Sequence, residues 1–367
     1  IGGWEAFFDN KQFERFEKVA ADFVAERRDS PRRMDLLYLW GQAAIRTDQA
    51  DEAIRRLTPL AETANEPHAP TALLQRAALY AQTERADRAI ADYQSFVQRY
   101  GDDPRVATAR RRLIDLAFRQ GEFDTVIPAA KQWLADGPPE TPGAANVKLR
   151  LAIAQIKSDA TDAALKTLDD LLATKPADDV ASLAHYYRGL LLTARAPVDA
   201  AADNPTLQRA VTSLEQALDG PLGESQKLES WQLLARLYRT AGQTDKALAA
   251  FEQLSRRKKP AEFETPVAMW IGRELLRRGD ADKAIRWFAL VLERSGLDAD
   301  TETEALFRAG QAYRELDQWD RAIDAFRKVV AFGHGFGDQG RLGLAQALAG
   351  AGQVDEALDE YDMLMSA

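Results

Sequence analysis

Residues Thr303–Val330, TEALFRAGQAYRELDQWDRAIDAFRKVV, contain two helical stripes separated by the short break Leu316-Asp317-Gln318. Apolar and small residues recur in each stripe at steps of three and four, which places them on one face of an α-helix. They are Leu306, Ala309, Gly310 and Tyr313 in the first stripe and Trp319, Ala322, Ile323, Phe326 and Val330 in the second. Gly310 and Ala322 fall where the two faces cross, so they allow the backbones to approach closely. The stretch predicts a helical hairpin whose apolar side must be covered by a neighbouring hairpin.

The same pattern returns along the whole chain. With Ala322 as the anchor in the second helix, the equivalent position recurs at intervals of 35–38 residues, apart from one interval of 47. The anchors are Phe16, Ala53, Ala89, Val126, Ala163, Ala210, Ala247, Ala284, Ala322 and Ala357. A period this regular predicts ten stacked hairpins in which each unit packs only on its neighbours.

The hairpins resemble the tetratricopeptide repeat (TPR). The family pattern consists of a large residue, a small residue, an aromatic residue and a turn, followed by an aromatic residue, an Ala and a second aromatic residue. It is met in order by Leu306, Gly310, Tyr313, Asp317, Trp319, Ala322 and Phe326. The resemblance implies an all-α fold, namely an α-solenoid of about ten TPR-like hairpins that winds into a right-handed superhelix. It also implies binding of partner proteins or peptides.

The long interval between anchors divides the chain into three parts. Residues 1–195 hold the N-terminal units, of which the first is degenerate, and residues 206–367 hold the C-terminal units. Residues 196–205, APVDAAADNP, are an insertion between the two helices of one unit. We expect this insertion to form a surface loop, a type of segment that often lies on a binding face. No polar helix follows the last unit, which favours a continuation beyond residue 367 or a partner that caps the end.

Composition excludes several classes of function. The 367 residues include no cysteine, which excludes disulfides, Cys-ligated zinc and thiol catalysis. No apolar run approaches the roughly 20 residues that span a bilayer, so we expect no transmembrane segment, although the chain can still join a membrane-associated complex. The formal net charge of −9 argues against nucleic acid as the partner.

Residues 93–113, YQSFVQRYGDDPRVATARRRL, suggest a location. The segment combines an aromatic helix end, the motif Arg-Tyr-x-Asp-x-Pro and an Ala-rich helix. In this respect it resembles TPR proteins of the bacterial cell envelope, including the outer-membrane-assembly lipoproteins of the BamD type and the periplasmic CpoB (YbgF) group. The resemblance implies the bacterial periplasm or cell envelope. The cytoplasm is the alternative, because cytoplasmic TPR proteins carry similar segments.

Residue groups that would support catalysis or bind a cofactor are sparse. The three histidines, His68, His185 and His334, lie in different units, and none has a second His or Cys at metal-ligand spacing. Residues 335–340, GFGDQG, match G-x-G-x-x-G, but a predicted helix precedes them where a phosphate-binding loop needs a strand. The sequence therefore predicts no enzyme activity, no cofactor and no metal site.

The first helix of each unit supplies the remaining candidate site. In the TPR family the inner face is lined by the second, fifth, ninth, twelfth and thirteenth positions of each unit. The basic residues at these positions are Arg46, Arg111, Arg119, Arg236, Arg239, Arg273, Arg277 and Arg314. The acidic residues there are Asp35, Asp115, Glu229, Glu304 and Glu315. The predicted face is thus rich in Arg, whose planar guanidinium suits carboxylates.

The densest group of these arginines is Arg236, Arg239, Arg273 and Arg277. Two of them are three residues apart and the other two are four apart, so each pair shares one helix face. Stacking of neighbouring units brings the pairs onto one strip. Their mutual repulsion is offset if Glu229 or Glu304 lies alongside, or if an acidic ligand binds.

These observations predict a non-enzymatic scaffold that binds partner proteins or peptides along the solenoid groove, within a bacterial envelope assembly. The expected partner is acidic, either a peptide segment or a glycan. The alternative is an accessory TPR region of a larger enzyme or polysaccharide-export machine.

Overall fold

The structure is a computed structural model that describes residues 12–63, 65–137, 141–197, 203–257, 262–333 and 335–366. These residues form nineteen α-helices and include no β-strand. The prediction from the helical periodicity of the apolar residues, an all-α helical-repeat solenoid, is therefore confirmed. Within the described ranges, no helix is both long and apolar enough to cross a membrane.

The chain forms two compact units. The first holds the residues up to Leu191 and Gln216–Leu222, and the second holds Leu192–Glu215 and the residues from Gly223 onward. The helices that begin in the first unit are α1 Phe13–Glu26, α2 Arg33–Arg46, α3 Ala50–Glu62, α4 Ala69–Gln82, α5 Ala86–Arg99, α6 Val106–Gln120, α7 Phe123–Asp136, α8 Ala144–Lys157, α9 Thr161–Leu172 and α10 Asp178–Arg195. Those that begin in the second are α11 Pro205–Leu218, α12 Glu224–Thr240, α13 Thr244–Ser255, α14 Thr265–Arg277, α15 Ala281–Leu292, α16 Ala299–Glu315, α17 Trp319–Phe332, α18 Gly337–Gly350 and α19 Val354–Ser366.

Neighbouring helices pair as hairpins because short turns join them. The hairpins are α2/α3, α4/α5, α6/α7 and α8/α9 in the first unit and α12/α13, α14/α15, α16/α17 and α18/α19 in the second. Between hairpins, the second helix of one packs against the first helix of the next at α3/α4, α5/α6, α7/α8, α15/α16 and α17/α18. Each of these helices thus finds its apolar partners directly before and after it, which is the packing scheme of a repeat protein.

Nine of the ten predicted anchors are buried, and eight of these have no exposed surface. The eight are Phe16, Ala53, Ala89, Val126, Ala210, Ala247, Ala284 and Ala322. Ala163 was the wrong choice, because it is exposed and the buried residue is its neighbour Ala164. The helix start explains the error: α9 begins at Thr161, and the buried anchor is the third residue after the helix start, as Ala53 is in α3.

The hairpin turns use a left-handed residue to end the first helix. Asp317, in the predicted break between α16 and α17, has φ 55°. Gly242 and Gly279 occupy the equivalent position with φ 67° and 79°. A residue in this conformation stops the helix and redirects the chain, and glycine adopts it without strain.

The insertion predicted at residues 196–205 lies between the end of α10 at Arg195 and the start of α11 at Pro205. Its residues 198–202 are outside the described part of the chain. Asn204 caps α11, since its Oδ1 accepts hydrogen bonds from the backbone N–H groups of Thr206 at 2.9 Å and Leu207 at 3.1 Å. A contact between this insertion and a partner stays a prediction.

The Arg-Tyr-x-Asp-x-Pro motif joins one hairpin to the next. Asp103 accepts three hydrogen bonds from Arg105, one from its backbone N–H at 2.8 Å and two from its guanidinium at 2.9 and 2.7 Å. These bonds hold the pKa of Asp103 at about 2, below its usual range. Arg105 also donates to Thr71 Oγ1 at 3.0 Å, at the start of α4. Asp103, at a variable position of the motif, and Arg105, directly after its Pro104, therefore fix how α6 begins relative to the preceding hairpin.

A buried ion pair holds α4 to α5. Arg76 donates from Nε and Nη2 to the two carboxylate oxygens of Asp92, at 2.8 Å each, and both residues are only 7% exposed. Arg76 also donates to Glu62 at 3.1 Å, but the side chain of Glu62 is 65% exposed. Asp92 is therefore the buried counter-charge of this guanidinium.

Candidate partner-binding surface

The candidate surface is the first-helix face, defined here as the exposed side of the helices that open each hairpin. The predicted arginines all lie on these helices. They are Arg46 on α2, Arg111 and Arg119 on α6, Arg236 and Arg239 on α12, Arg273 and Arg277 on α14, and Arg314 on α16. Five of them are exposed: Arg46, Arg119, Arg236, Arg273 and Arg277. Because the helices pack on both neighbours, these positions are held by a rigid scaffold.

Carboxylates already neutralise the two arginines of α14. Arg273 Nη1 donates to Glu304 of α16 at 3.0 and 3.2 Å, which ties two successive first helices together. Arg277 bonds to Glu274 on its own helix, at 3.0 Å from Nε and 2.9 Å from Nη2. The predicted strip of four guanidiniums is therefore less basic than the sequence pattern alone indicates. The expectation that Glu304 lies alongside it is met by the Arg273 contact.

The arginines of α12 have a different environment. The Arg239 guanidinium lies 6.0 Å from the ring centroid of Trp270 on α14, within the range of a cation–π contact. Trp270 packs on Phe251 with ring centroids 5.7 Å apart and keeps part of its surface exposed. Arg236 is exposed and, among the described residues, makes no ion pair. This end of the surface offers Arg239 over a partly exposed indole and, on the same helix, Arg236 without an ion pair among the described residues.

A cluster of polar and aromatic side chains extends the first-helix face from α16 to the start of α18. Arg308 approaches Glu304 at 3.7 Å and lies over the rings of Phe307 and Phe336, at 5.5 and 5.9 Å. The two rings stack at 4.8 Å. Glu304 thus receives two arginines, one from each of two successive first helices. Arg314 extends the row, because its Nη1 donates to the side chain of Gln346 on α18.

In the first unit, Arg111 is anchored on three sides. Its Nε lies 3.2 Å from Asp115, its Nη1 is 3.4 Å from the carbonyl oxygen of Gly143, and its guanidinium lies 5.7 Å from the Trp133 ring. Arg150 of α8 also bonds to Asp115. Arg111 therefore has a packing role beside any role in binding.

The sequence pattern missed Trp270, Arg308, Arg112 and Arg150, which all occupy the sixth position of their units. That position precedes the ninth by three residues, so the two share a helix face. Adding the sixth position to the five surface positions would have found these residues. For Arg150, the correction from Ala163 to Ala164 is also required.

Among the described residues, no group of three or more His, Asp or Glu side chains is placed to hold a metal ion. His68 stacks on Tyr38 at 4.2 Å, and its Nε2 lies 3.1 Å from Asp35. His185 is half-buried in α10, and burial together with the nearby Arg188 charge lowers its pKa to about 4. His334 lies outside the described residues.

The G-x-G-x-x-G match at residues 335–340 overlaps a helix, since α17 ends at Phe332 and residues 337–340 form the first turn of α18. A dinucleotide- or phosphate-binding loop instead follows a β-strand. Only Gly335 and Phe336 belong to the predicted connection between repeats, and the other four residues begin α18.

Comparison with known proteins agrees with the hairpin geometry. One model described as tetratricopeptide repeat matches residues 38–104, 86–145 and 233–299, and a second with the same description matches residues 304–331. Together these matches cover more than half of the chain. Among curated protein sequences, none matches.

Several solved structures are similar to parts or most of this chain. The structure of Naa15/Naa10 bound to HypK-THB is similar over 99% of this chain and 62% of its own, with a TM-score of 0.50 and 14% identity. A tetratricopeptide repeat protein from Parabacteroides merdae is 15% identical over 76% of this chain and 98% of its own, with a TM-score of 0.40. The C-terminal part of a TPR repeat-containing protein from Cytophaga hutchinsonii is 16% identical over 70% of this chain and 94% of its own, with a TM-score of 0.44. Because the family models match more than half of its residues, the chain belongs to the tetratricopeptide repeat family.

Proposed function

We propose that this chain is a non-enzymatic scaffold that binds a partner protein or peptide on the first-helix face of its second unit. The observation that carries the proposal is the row formed by Arg236, Arg239 on Trp270, and Arg273 on Glu304. It combines an uncompensated cation, a partly exposed aromatic ring and a hydrogen-bonded ion pair. Binding surfaces are typically enriched in Arg and Trp, because both supply large contact areas and specific polar contacts.

Preorganisation supports the same proposal. The side chains of the row are braced by partners from neighbouring helices: Trp270 packs on Phe251, and Arg273 is bridged to Glu304. A partner that docks on an ordered surface avoids much of the entropic cost of fixing side chains. The preferred ligand is acidic, because Arg236 supplies a guanidinium that no described carboxylate neutralises.

Charge reversal tests the proposal. The double variant Arg236→Glu and Arg239→Glu, introduced into the full chain, should abolish co-purification of partners from the source cell. Arg55 and Arg88 lie on the second helices α3 and α5 and are exposed, so their double Glu variant changes the net charge equally. It should leave co-purification intact. Retention of partners by the first variant, with their loss on replacing residues 196–205, would instead assign binding to the insertion.

The bacterial cell envelope is the proposed location. The support is the resemblance carried by residues 93–113, in which Asp103 and Arg105 make the hairpin junction described above. Fractionation of the source cell with an antibody to the native chain tests this location. Recovery with periplasmic or envelope fractions is expected, and recovery with the cytosol would contradict it.

A further inference from the structure

The first unit contains a second groove on its first-helix face, separate from the surface proposed above. Its volume is about 410 Å³. It is lined by Ala78 and Ala81 of α4, by Arg112, Asp115 and Arg119 of α6, and by Arg150 of α8. Leu116 and the buried Tyr93 complete its floor. The groove therefore combines an apolar base with a rim of charged side chains.

Small residues of α4 create this space. Ala78 and Ala81 hold the ninth and twelfth positions of their unit, where α12 carries Arg236 and Arg239. Methyl groups replace two long side chains here, so the first-helix face of α4 is recessed next to α6. Ala78 is itself exposed, and the groove is open to solvent.

The rim carries excess positive charge. Arg111 and Arg150 both bond to Asp115, so a single carboxylate serves two guanidiniums. Arg112 and Arg119 are exposed and, within the described part of the chain, make no ion pair. The groove is therefore a local basic site in a chain whose formal net charge is −9. A cleft lined by charge of one sign concentrates ligands of the opposite sign.

Helix geometry sets the spacing of the receiving groups. Arg112 and Arg119 are seven residues apart, so they share one face of α6, and their Cα atoms are about 10.5 Å apart at a rise of about 1.5 Å per residue. A peptide in the extended polyproline II conformation has three residues per turn and advances about 3.1 Å per residue, so anionic side chains three residues apart lie on one face and span about 9 Å. The two spacings match closely.

We propose that this groove binds an extended segment of a protein partner through two anionic side chains three residues apart, which Arg112 and Arg119 receive. Ala78, Ala81 and Leu116 contact the aliphatic stems and the intervening residues. Guanidinium groups pair with carboxylates and with phosphates alike, so the anions are either Glu and Asp side chains or phosphorylated residues. The site lies in the first unit and does not depend on the second-unit surface.

Fluorescence anisotropy with three dye-labelled peptides tests the proposal on the full chain. One carries Glu-Ala-Ala-Glu between Gly-Ser flanks, one carries phosphoserine at both Glu positions, and one carries Gln at both. The Glu peptide, the phosphoserine peptide or both should bind at least about tenfold more tightly than the Gln peptide, because each Arg contact is charge-assisted. Which anionic peptide binds better identifies the source of the anion. Equal anisotropy for all three peptides would overturn the proposal.

Two variants separate a specific site from general attraction. Arg112→Glu with Arg119→Glu should weaken the anionic peptide about tenfold or more. The matched control, Lys131→Glu with Lys166→Glu, changes two exposed residues of the second helices α7 and α9 and should have little effect. If both double variants lost the same affinity for the peptide, binding would depend only on net charge, which would contradict the proposal.

A third variant tests the shape of the groove without a charge change. Ala78→Leu places a larger side chain in the recess at an exposed position, so the helix tolerates it and the peptide loses its space. Binding should fall while circular dichroism stays unchanged. Undiminished binding by this variant would show that the peptide lies elsewhere. Charge reversal at Arg236 and Arg239 should leave this peptide binding intact, so the two sites can fail separately.

Discussion

Phe326 of α17 lies directly against Gly310 of α16: a Cβ added at residue 310 would be 2.8 Å from Cε1 of the ring. On the other side, a Cβ at Gly343 of α18 would be 2.5 Å from the same atom. The ring is fully buried, so it is clamped between two successive first helices. The same contact recurs between Gly272 and Phe288, at 2.7 Å. The small residue of the repeat pattern therefore leaves the space that the aromatic ring of the second helix occupies.

Gly310→Ala should destabilise the second unit. The ring cannot move away from a new methyl group at residue 310, because Gly343 confines it from the other side. We expect a loss of about 1–3 kcal/mol in the free energy of unfolding, as for other overpacked cores. Gly337→Ala is the control, since nothing lies within 4 Å of a Cβ there. Urea unfolding followed by circular dichroism measures both, and equal stability of the two variants would contradict the clamp.

The corrected repeat frame can be tested at two adjacent residues. Ala164 is fully buried in α9, whereas Ala163 is exposed. Ala164→Leu should force strain of about 1–3 kcal/mol, and Ala163→Leu should change stability by less than about 0.5 kcal/mol. Melting temperatures compare them directly. A larger loss at Ala163 would restore the original frame.

Asp92→Ala should be among the most damaging substitutions in the first unit. It leaves the Arg76 guanidinium buried with only the exposed Glu62 as a partner, and loss of one member of a buried pair costs about 3–5 kcal/mol. The exposed Asp87 lies on the same helix, and Asp87→Ala should cost less than about 1 kcal/mol. Joint replacement by Arg76→Met and Asp92→Leu should recover most of the stability. Denaturant unfolding of the three variants provides the measurement.

Acidification should destabilise the first unit through His185. Burial lowers its pKa from the ordinary value of 6.5 to about 4, and Arg188 donates to its Nδ1 at 3.3 Å, which favours the neutral ring. As the pH falls below 6.5 the unfolded chain binds a proton that the folded chain rejects until about pH 4. Titration of His185 therefore lowers the free energy of unfolding between about pH 6.5 and pH 4, and causes no further change below pH 4.

The measurement for this pH effect is the melting temperature of the native chain and of His185→Gln at several values between pH 7 and pH 4. Gln keeps an acceptor for Arg188 but does not titrate. The native chain should lose more stability than the variant over this range. Parallel pH profiles for both proteins would remove His185 as the cause.

Most of the fold follows from local sequence, because each hairpin packs only on its neighbours and one interval describes them all. The pattern identified the turn at Asp317, the small residue at Gly310 and most of the anchors. It failed at Ala163, where two adjacent alanines fit the spacing equally well. Only the start of α9 at Thr161 decides between them.

The surface was less predictable, because its charges are set by side chains some 30 residues apart in sequence. Arg273 and Glu304 are far apart in the chain, yet they form an ion pair across two first helices. Periodicity places both residues on the same face but does not specify which groups bond. For the same reason, periodicity does not indicate that Arg150 shares Asp115 with Arg111, or that Ala78 opens a groove.

The central claim is that a partner contacts the first-helix face of the second unit. Site-specific photo-crosslinking in the source cell tests it most directly, with a photoreactive residue at position 236 on α12 or at position 328 on α17. Lys328 lies exposed on a second helix, so it samples a different surface of the same unit. We predict a discrete crosslinked product from position 236 and none from position 328. A product from position 328 alone would contradict the account.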